Sequence, residues 1–128
     1  MSKPAKTLKI YGRPVPKGRP RSTKSHTFTP RKTKKAENKI LRKYQELYGR
    51  ETIQGPIEMV CGFYYSDKRW GDVDNLFKLA ADALGGGSSE DWRPFDDKQI
   101  VKAHSYKCLV ETEKEEKTII WLHQVENF

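Results

Sequence analysis

Asp72 and Asp74 stand two residues apart, and Lys78 follows four residues after Asp74. A second acidic pair, Asp96 and Asp97, comes after a glycine-rich stretch. If residues 72–74 are extended, positions i and i+2 point to the same side, so two carboxylates face one point. Three or four carboxylates gathered together repel one another and are costly to bury unpaired. A divalent cation removes that cost, and an all-oxygen set favours Mg²⁺ or Mn²⁺ over zinc. Mg²⁺ commonly takes one or two carboxylates, several waters and a phosphate oxygen. Such an ion can activate water for in-line attack on a phosphodiester, and a second ion can stabilise the leaving oxygen. Asp-x-Asp spacing alone is weak evidence, because acids also cap helices and decorate loops.

Lys78 shares a helix face with Asp74 at i, i+4. Spacing alone favours a surface ion pair worth a few tenths of a kcal/mol. The alternative is a cation that stabilises charge building on a phosphate. Asp82 lies at the same spacing from Lys78 and reads as a polar helix residue or its ion-pair partner.

The charge distribution bears on these choices. The 128 residues carry 25 Lys plus Arg against 17 Asp plus Glu, a formal net charge of +8. Residues 1–43 hold 15 of the bases and a single acid, Glu37. Residues 44–128 hold the other 10 bases and 16 acids. A basic front points to a polyanion, nucleic acid first. A phosphate-binding front and a carboxylate patch are the two parts a metal-dependent nuclease needs.

The elements that must position these residues follow from periodicity. Residues 7–12 alternate polar and apolar, as in a short strand. Residues 13–30 read as an extended basic loop, because Pro14, Pro16 and Pro20 block a helix. Thr29 reads as an N-cap with Pro30 at the first helical position. From Arg31 to Tyr48, Ala36, Ile40, Leu41, Tyr44, Leu47 and Tyr48 form an amphipathic stripe, closed by Gly49. Residues 57–65 are β-branched, aromatic and apolar, as in an inner strand. Asp74 to Leu84 reads as a short helix capped by Asp74, with Leu76, Leu79, Ala80, Ala83 and Leu84 inward. Residues 85–95 form a flexible, glycine-rich connection. Residues 100–110 and 118–125 read as two more strands, joined by an acidic loop that would make a loose hairpin. This order predicts one small α+β domain, residues 1–128, with a mixed sheet of about four strands and two main helices.

Several classes are set aside. The longest apolar run, Ile119 to Leu122, is too short to span a bilayer. The N-terminus has basic residues but no apolar signal core, so a soluble, cytoplasmic protein is expected. Cys61 and Cys108 fall in strand-like segments and read as buried thiols. The absence of a CxxC pair and the scatter of His26, His104 and His123 argue against structural zinc. Apolar content is modest, so the core is small and gains from a partner subunit.

The run Asp72-Val73-Asp74-Asn75-Leu76-Phe77-Lys78, then Asp82-Ala83-Leu84, then Asp96-Asp97-Lys98-Gln99-Ile100, resembles the signature of the RusA family of Holliday-junction resolvases. The front segment Pro14-Val15-Pro16-Lys17-Gly18-Arg19-Pro20-Arg21, with Phe28-Thr29-Pro30, is similar to the N-terminal motif of phage and bacterial members. The resemblance implies a homodimeric, Mg²⁺-dependent endonuclease, with Mn²⁺ as a substitute, that makes paired nicks across a four-way DNA junction in recombination and repair. It implies Asp72, Asp74 and Asp97 as metal-binding catalytic residues, Lys78 as a functional lysine, and Asp96 as a neighbour in the same patch. It also marks a departure: the connection between Leu84 and Asp96 is about four residues longer than the family pattern. That stretch either loosens Asp97 or is ordered by packing Trp92 and Phe95 inward.

The expected DNA contacts are Lys17, Arg19, Arg21, Lys24, Arg31, Lys32, Lys34 and Lys35, in a run too short of acids to pair its own charges. Phe28 could wedge or stack at a branch point, or pin the loop to the core. Two other readings stay open: a non-catalytic nucleic-acid-binding module, and a metal-dependent nuclease of broader branched-DNA specificity.

Overall fold

The computed structural model describes residues 5–18, 21–22, 27–28, 30–86 and 92–126. The expected contacts Arg19 and Lys24, and Thr29, lie outside these residues. The chain order is β1 (Lys6–Tyr11), β2 (Arg21–Ser22), β3 (Thr27–Phe28), α1 (Arg31–Tyr48), β4 (Ile57–Tyr65), α2 (Val73–Gly85), β5 (Ile100–Leu109) and β6 (Lys117–Gln124). Single 3₁₀ turns at Asp97–Gln99 and Glu113–Glu115 precede β5 and β6. The molecule is a small α+β domain with a four-stranded mixed sheet and two helices.

The sheet runs in the order β1-β6-β4-β5. β6 is antiparallel to both neighbours, and β4 and β5 are parallel. This corrects the expected hairpin between the last two strands. β4 lies between them, because its nearly unbroken apolar run needs partners on both edges. Parallel strands need a crossover, and α2 provides it. α2 therefore runs back from the end of β4 towards the start of β5.

Strand periodicity sets the core. Leu8, Ile57, Met59, Cys61, Phe63, Tyr65, Ile120 and Leu122 form one buried face. The helices pack Ile40, Leu41 and Tyr44, and Leu76, Leu79, Ala80, Ala83 and Leu84, into the same core. α1 spans the predicted stripe and closes on Gly49 at φ 63°, but its start corrects the expected cap: Pro30, at φ −55° and ψ 144°, takes the N-cap position itself, and Arg31 is the first helical residue. Leu47 departs from the expected stripe at 48% exposure. Tyr48 makes the last-turn contact, its hydroxyl accepting from the Thr7 amide and donating to the Thr7 carbonyl. The expected basic loop contains the two-residue antiparallel pair β2–β3. Cys61 is buried and Cys108 half-buried, both as free thiols. Among the described residues no helix is long and apolar enough to cross a membrane.

Candidate active site

α2 begins at Val73, one residue earlier than the sequence predicts. Asp72, extended at φ −67° and ψ 141°, takes the N-cap position, and Asp74 falls within the first turn. The two acids therefore straddle the junction rather than sharing an extended segment. Asp72 makes no side-chain cap bond. Asp74 Oδ1 accepts the Asn75 amide at 3.0 Å. Both side chains are exposed, at the helix end whose dipole favours negative charge. Lys78 is exposed one turn further along. Two open carboxylates with a cation on the next turn fit a hard divalent ion by their chemistry.

The basic loop lies against this turn. Pro16 packs on Gly71, where a Cβ would meet it at 2.8 Å. The Lys17 amide donates to the Asn75 carbonyl at 3.0 Å, and the Gly18 amide donates to the Thr33 hydroxyl at 3.0 Å. Tyr65 donates its hydroxyl to the Pro14 carbonyl, and Arg13 lies 4.8 Å above the Tyr65 ring. From the other side, Lys107 donates to the Gly71 carbonyl at 3.2 Å and Ser105 to that of Val73 at 3.4 Å. Periodicity could not single out Arg13, Ser105 or Lys107, because their partners are remote in the chain.

Lys17 differs from its neighbours. Its ammonium lies 3.0 Å from Glu37 and 3.1 Å from Asp82, with the side chain 17% exposed. Burial lowers its pKa, but the bonds to Glu37 and Asp82 outweigh that and hold it above the ordinary lysine value. The expectation of unpaired charges is corrected here, and Asp82 pairs with Lys17 instead of Lys78. Arg31, Lys34 and Lys35 line a groove of about 880 Å³ between β1 and α1, together with Lys9, Lys39, Arg42 and Lys43. Lys32 lines a separate cavity under the loop with Lys35. Arg21 and Phe28 are placed in β2 and β3 by their backbones alone.

The second acidic pair does different work. Asp96 caps the turn before β5, its carboxylate accepting the Lys98 amide at 2.9 Å while Gln99 accepts the Asp96 amide at 2.7 Å. The Gln99 amide group also donates to the carbonyls of Ile53 and Gly55, both at 2.9 Å. The Asp-x-x-Gln spacing of a capping box was the readable signal for this clamp. The Lys98 amide holds Asp96 below its ordinary range, whereas partial desolvation and the facing Asp96 and Asp82 carboxylates push Asp97 up. Phe95 is buried and Trp92 packs 6.1 Å from the Tyr44 ring, so this end of the long connection is packed inward. Residues 87–91 lie outside the described set.

One chain does not bring all the acids together. A Cβ on Gly85, the last residue of α2, would sit 3.0 Å from the Asp97 amide. Asp97 therefore lies at one end of α2 and Asp72 and Asp74 at the other. Among the described residues no three His, Cys, Asp or Glu side chains are grouped to hold one metal ion.

A family model described as Endodeoxyribonuclease RusA matches residues 11–120. The chain belongs to the RusA family. As a RusA nuclease it is an enzyme, of the Holliday-junction resolvase type. The matched segment contains the Asp72–Lys78 run, the Asp96–Gln99 clamp and the basic loop. None of the curated proteins compared matches this RusA chain.

Proposed function

We propose that the chain is a Mg²⁺-dependent resolvase that cuts four-way DNA junctions by paired, symmetric nicks, acting as a homodimer. The contact between the basic loop and the turn that opens α2 carries this reading. The Lys17 amide bonded to the Asn75 carbonyl supports it, because the basic loop then runs beside Asp72 and Asp74. Asp72 and Asp74 would hold Mg²⁺, which when bound lowers the pKa of a coordinated water and polarises the phosphoryl oxygen. Arg31, Lys34 and Lys35 engage the DNA backbone along the β1–α1 groove and fix its register. Lys78, one turn from Asp74, offsets the charge that grows on the phosphate during attack. The amide ends of α2 add positive potential at the same point. Two symmetric cuts call for two sites about a two-fold axis, and two copies of the chain supply them.

A Mg²⁺ titration with a fixed four-way junction and a linear duplex of matched sequence tests the reading. Paired nicks in the junction alone are expected. Equal cutting of the duplex would make the chain a broader nuclease, and no cutting with Mg²⁺ or Mn²⁺ would overturn catalysis. Asp72→Asn should abolish cleavage and leave junction binding intact or tighter, since it removes negative charge near phosphate. Binding lost together with cleavage would count against the metal-ligand role.

A further inference from the structure

We infer that the open face of the sheet, opposite the helices, is a stacking platform for an unpaired strand of nucleic acid. Leu8, Met59 and Ile120 point into the core, so their neighbours Lys9, Val60 and Trp121 point the other way. Both helices pack on the core side, so among the described residues no helix covers this face. A sheet face turned to solvent is ordinarily polar. This one is aromatic. Tyr11 is 59% exposed and Tyr106 41%, and Tyr64 and Trp121 are half-buried beside them. Exposed apolar area of this kind marks a binding surface. Gly62 shapes it. Lys9, Ile119, Gly62 and Tyr106 form one cross-strand row. The Tyr106 ring leans over Gly62, where a Cβ would collide with its hydroxyl. The Tyr64 hydroxyl holds it from the side, 3.0 Å from that of Tyr106. Trp121 is fixed in the same way, stacked on His123 at 5.2 Å. Rings already held in place lose little freedom when a base stacks on them.

Charge selects the occupant. Lys9, Lys102 and Lys117 stand on this face, and Glu58 is the one acid on these strands that does. Glu58 already lies 3.1 Å from His104. Lys117 covers the Tyr64 ring at 5.0 Å, which puts an ammonium beside the open rings of Tyr106 and Trp121. A second copy laid face to face would set these lysines against their own kind. A duplex keeps its base faces stacked on one another, whereas an unpaired strand offers them. Aromatic side chains on an open four-stranded sheet stack such bases, and neighbouring cations take the phosphates. The face is also continuous with the β1–α1 groove, which Lys9 and Tyr11 line as well. A strand that leaves the groove over β1 runs onto the aromatic face. The platform goes beyond the resolvase reading, because α2 and its acids lie on the other side of the sheet.

Binding of oligothymidylate without Mg²⁺ tests the platform apart from any nicking. Wild type should bind it, and tryptophan fluorescence should be quenched. Trp121→Phe should remove most of the quench, since Trp70 and Trp92 pack elsewhere, against Tyr65 and Tyr44. Tyr106→Ala should weaken binding about 5- to 100-fold, the loss of one base stack. Tyr106→Phe keeps the ring and should bind like wild type. Circular dichroism checks that each variant is folded. A second variant, Lys102→Gln/Lys117→Gln, leaves the aromatic rings in place and lies outside the groove. It should lower the slope of log affinity against log salt by about 1.4, near 0.7 for each phosphate on a single strand. Wild type that fails to bind oligothymidylate would overturn the platform and leave the nuclease reading in place. So would wild-type affinity in folded Tyr106→Ala or an unchanged salt slope in the lysine variant. A Tyr106→Ala chain that keeps its oligothymidylate affinity but loses mass in solution would make the face an interface between copies, and the platform would fall.

Discussion

The ammonium of Lys17 lies 3.1 Å from the carboxylate of Asp82, on the third turn of α2. With Glu37 on α1 at 3.0 Å, the pair ties the basic loop to both helices at once. The two carboxylates offset the charge of Lys17, so we expect it to act as a structural tie rather than a phosphate contact. Lys17→Met should cost about 1–2 kcal/mol, between the values for exposed and buried pairs, and lower the melting temperature by several degrees. The salt dependence of junction binding should stay unchanged. A flattened salt slope would return Lys17 to the DNA surface.

Arg31, Lys34 and Lys35 behave differently, because they open onto the groove beside β1. The triple change to Gln should weaken junction binding and reduce the slope of log affinity against log salt by about 2–3, near 0.9 for each phosphate no longer neutralised. Titrations at several salt concentrations measure this directly. A slope equal to wild type would remove the groove from the DNA surface.

Gly85 is the point where α2 meets the Asp97 turn. A methyl group there would press on the Phe95 ring and sit 3.0 Å from the Asp97 amide. Phe95 is buried and cannot swing clear. Gly85→Ala should therefore destabilise by about 1–3 kcal/mol through overpacking. Cleavage should fall further than binding, because Asp97 moves while the basic groove does not. Chemical denaturation and single-turnover nicking separate the two effects.

Glu116 supplies a pH dependence. Its carboxylate accepts the Ser66 amide and hydroxyl, both at 2.9 Å, and pairs with Arg13 at 2.7 Å. The Ser66 amide is the largest cause of its lowered pKa, and burial opposes it. Because the folded pKa lies below the ordinary 4.5, the stabilisation is complete above pH 4.5 and is lost as pH falls through the lowered value. Glu116→Gln should flatten the acid side of the stability curve with little change in packing. An unchanged acid limb would assign acid sensitivity to other carboxylates.

Elements whose cause is local were legible in the sequence. The 3.6-residue stripe and Gly49 set the span of α1, and the apolar run at 57–65 marked an inner strand before any partner was known. The Asp72–Lys78 run and the Asp96–Gln99 pair also named the family, since a motif is a property of order along the chain. Other features needed the tertiary structure. β6 sits between β1 and β4, so the acidic loop is no hairpin, because strand order depends on pairings across remote segments. Lys17 finds Glu37 and Asp82 only once the loop folds across both helices. The direction of α2 mattered most for the site. A crossover between parallel strands must run the length of the sheet, and that length sets Asp72 and Asp74 apart from Asp97 within a single chain.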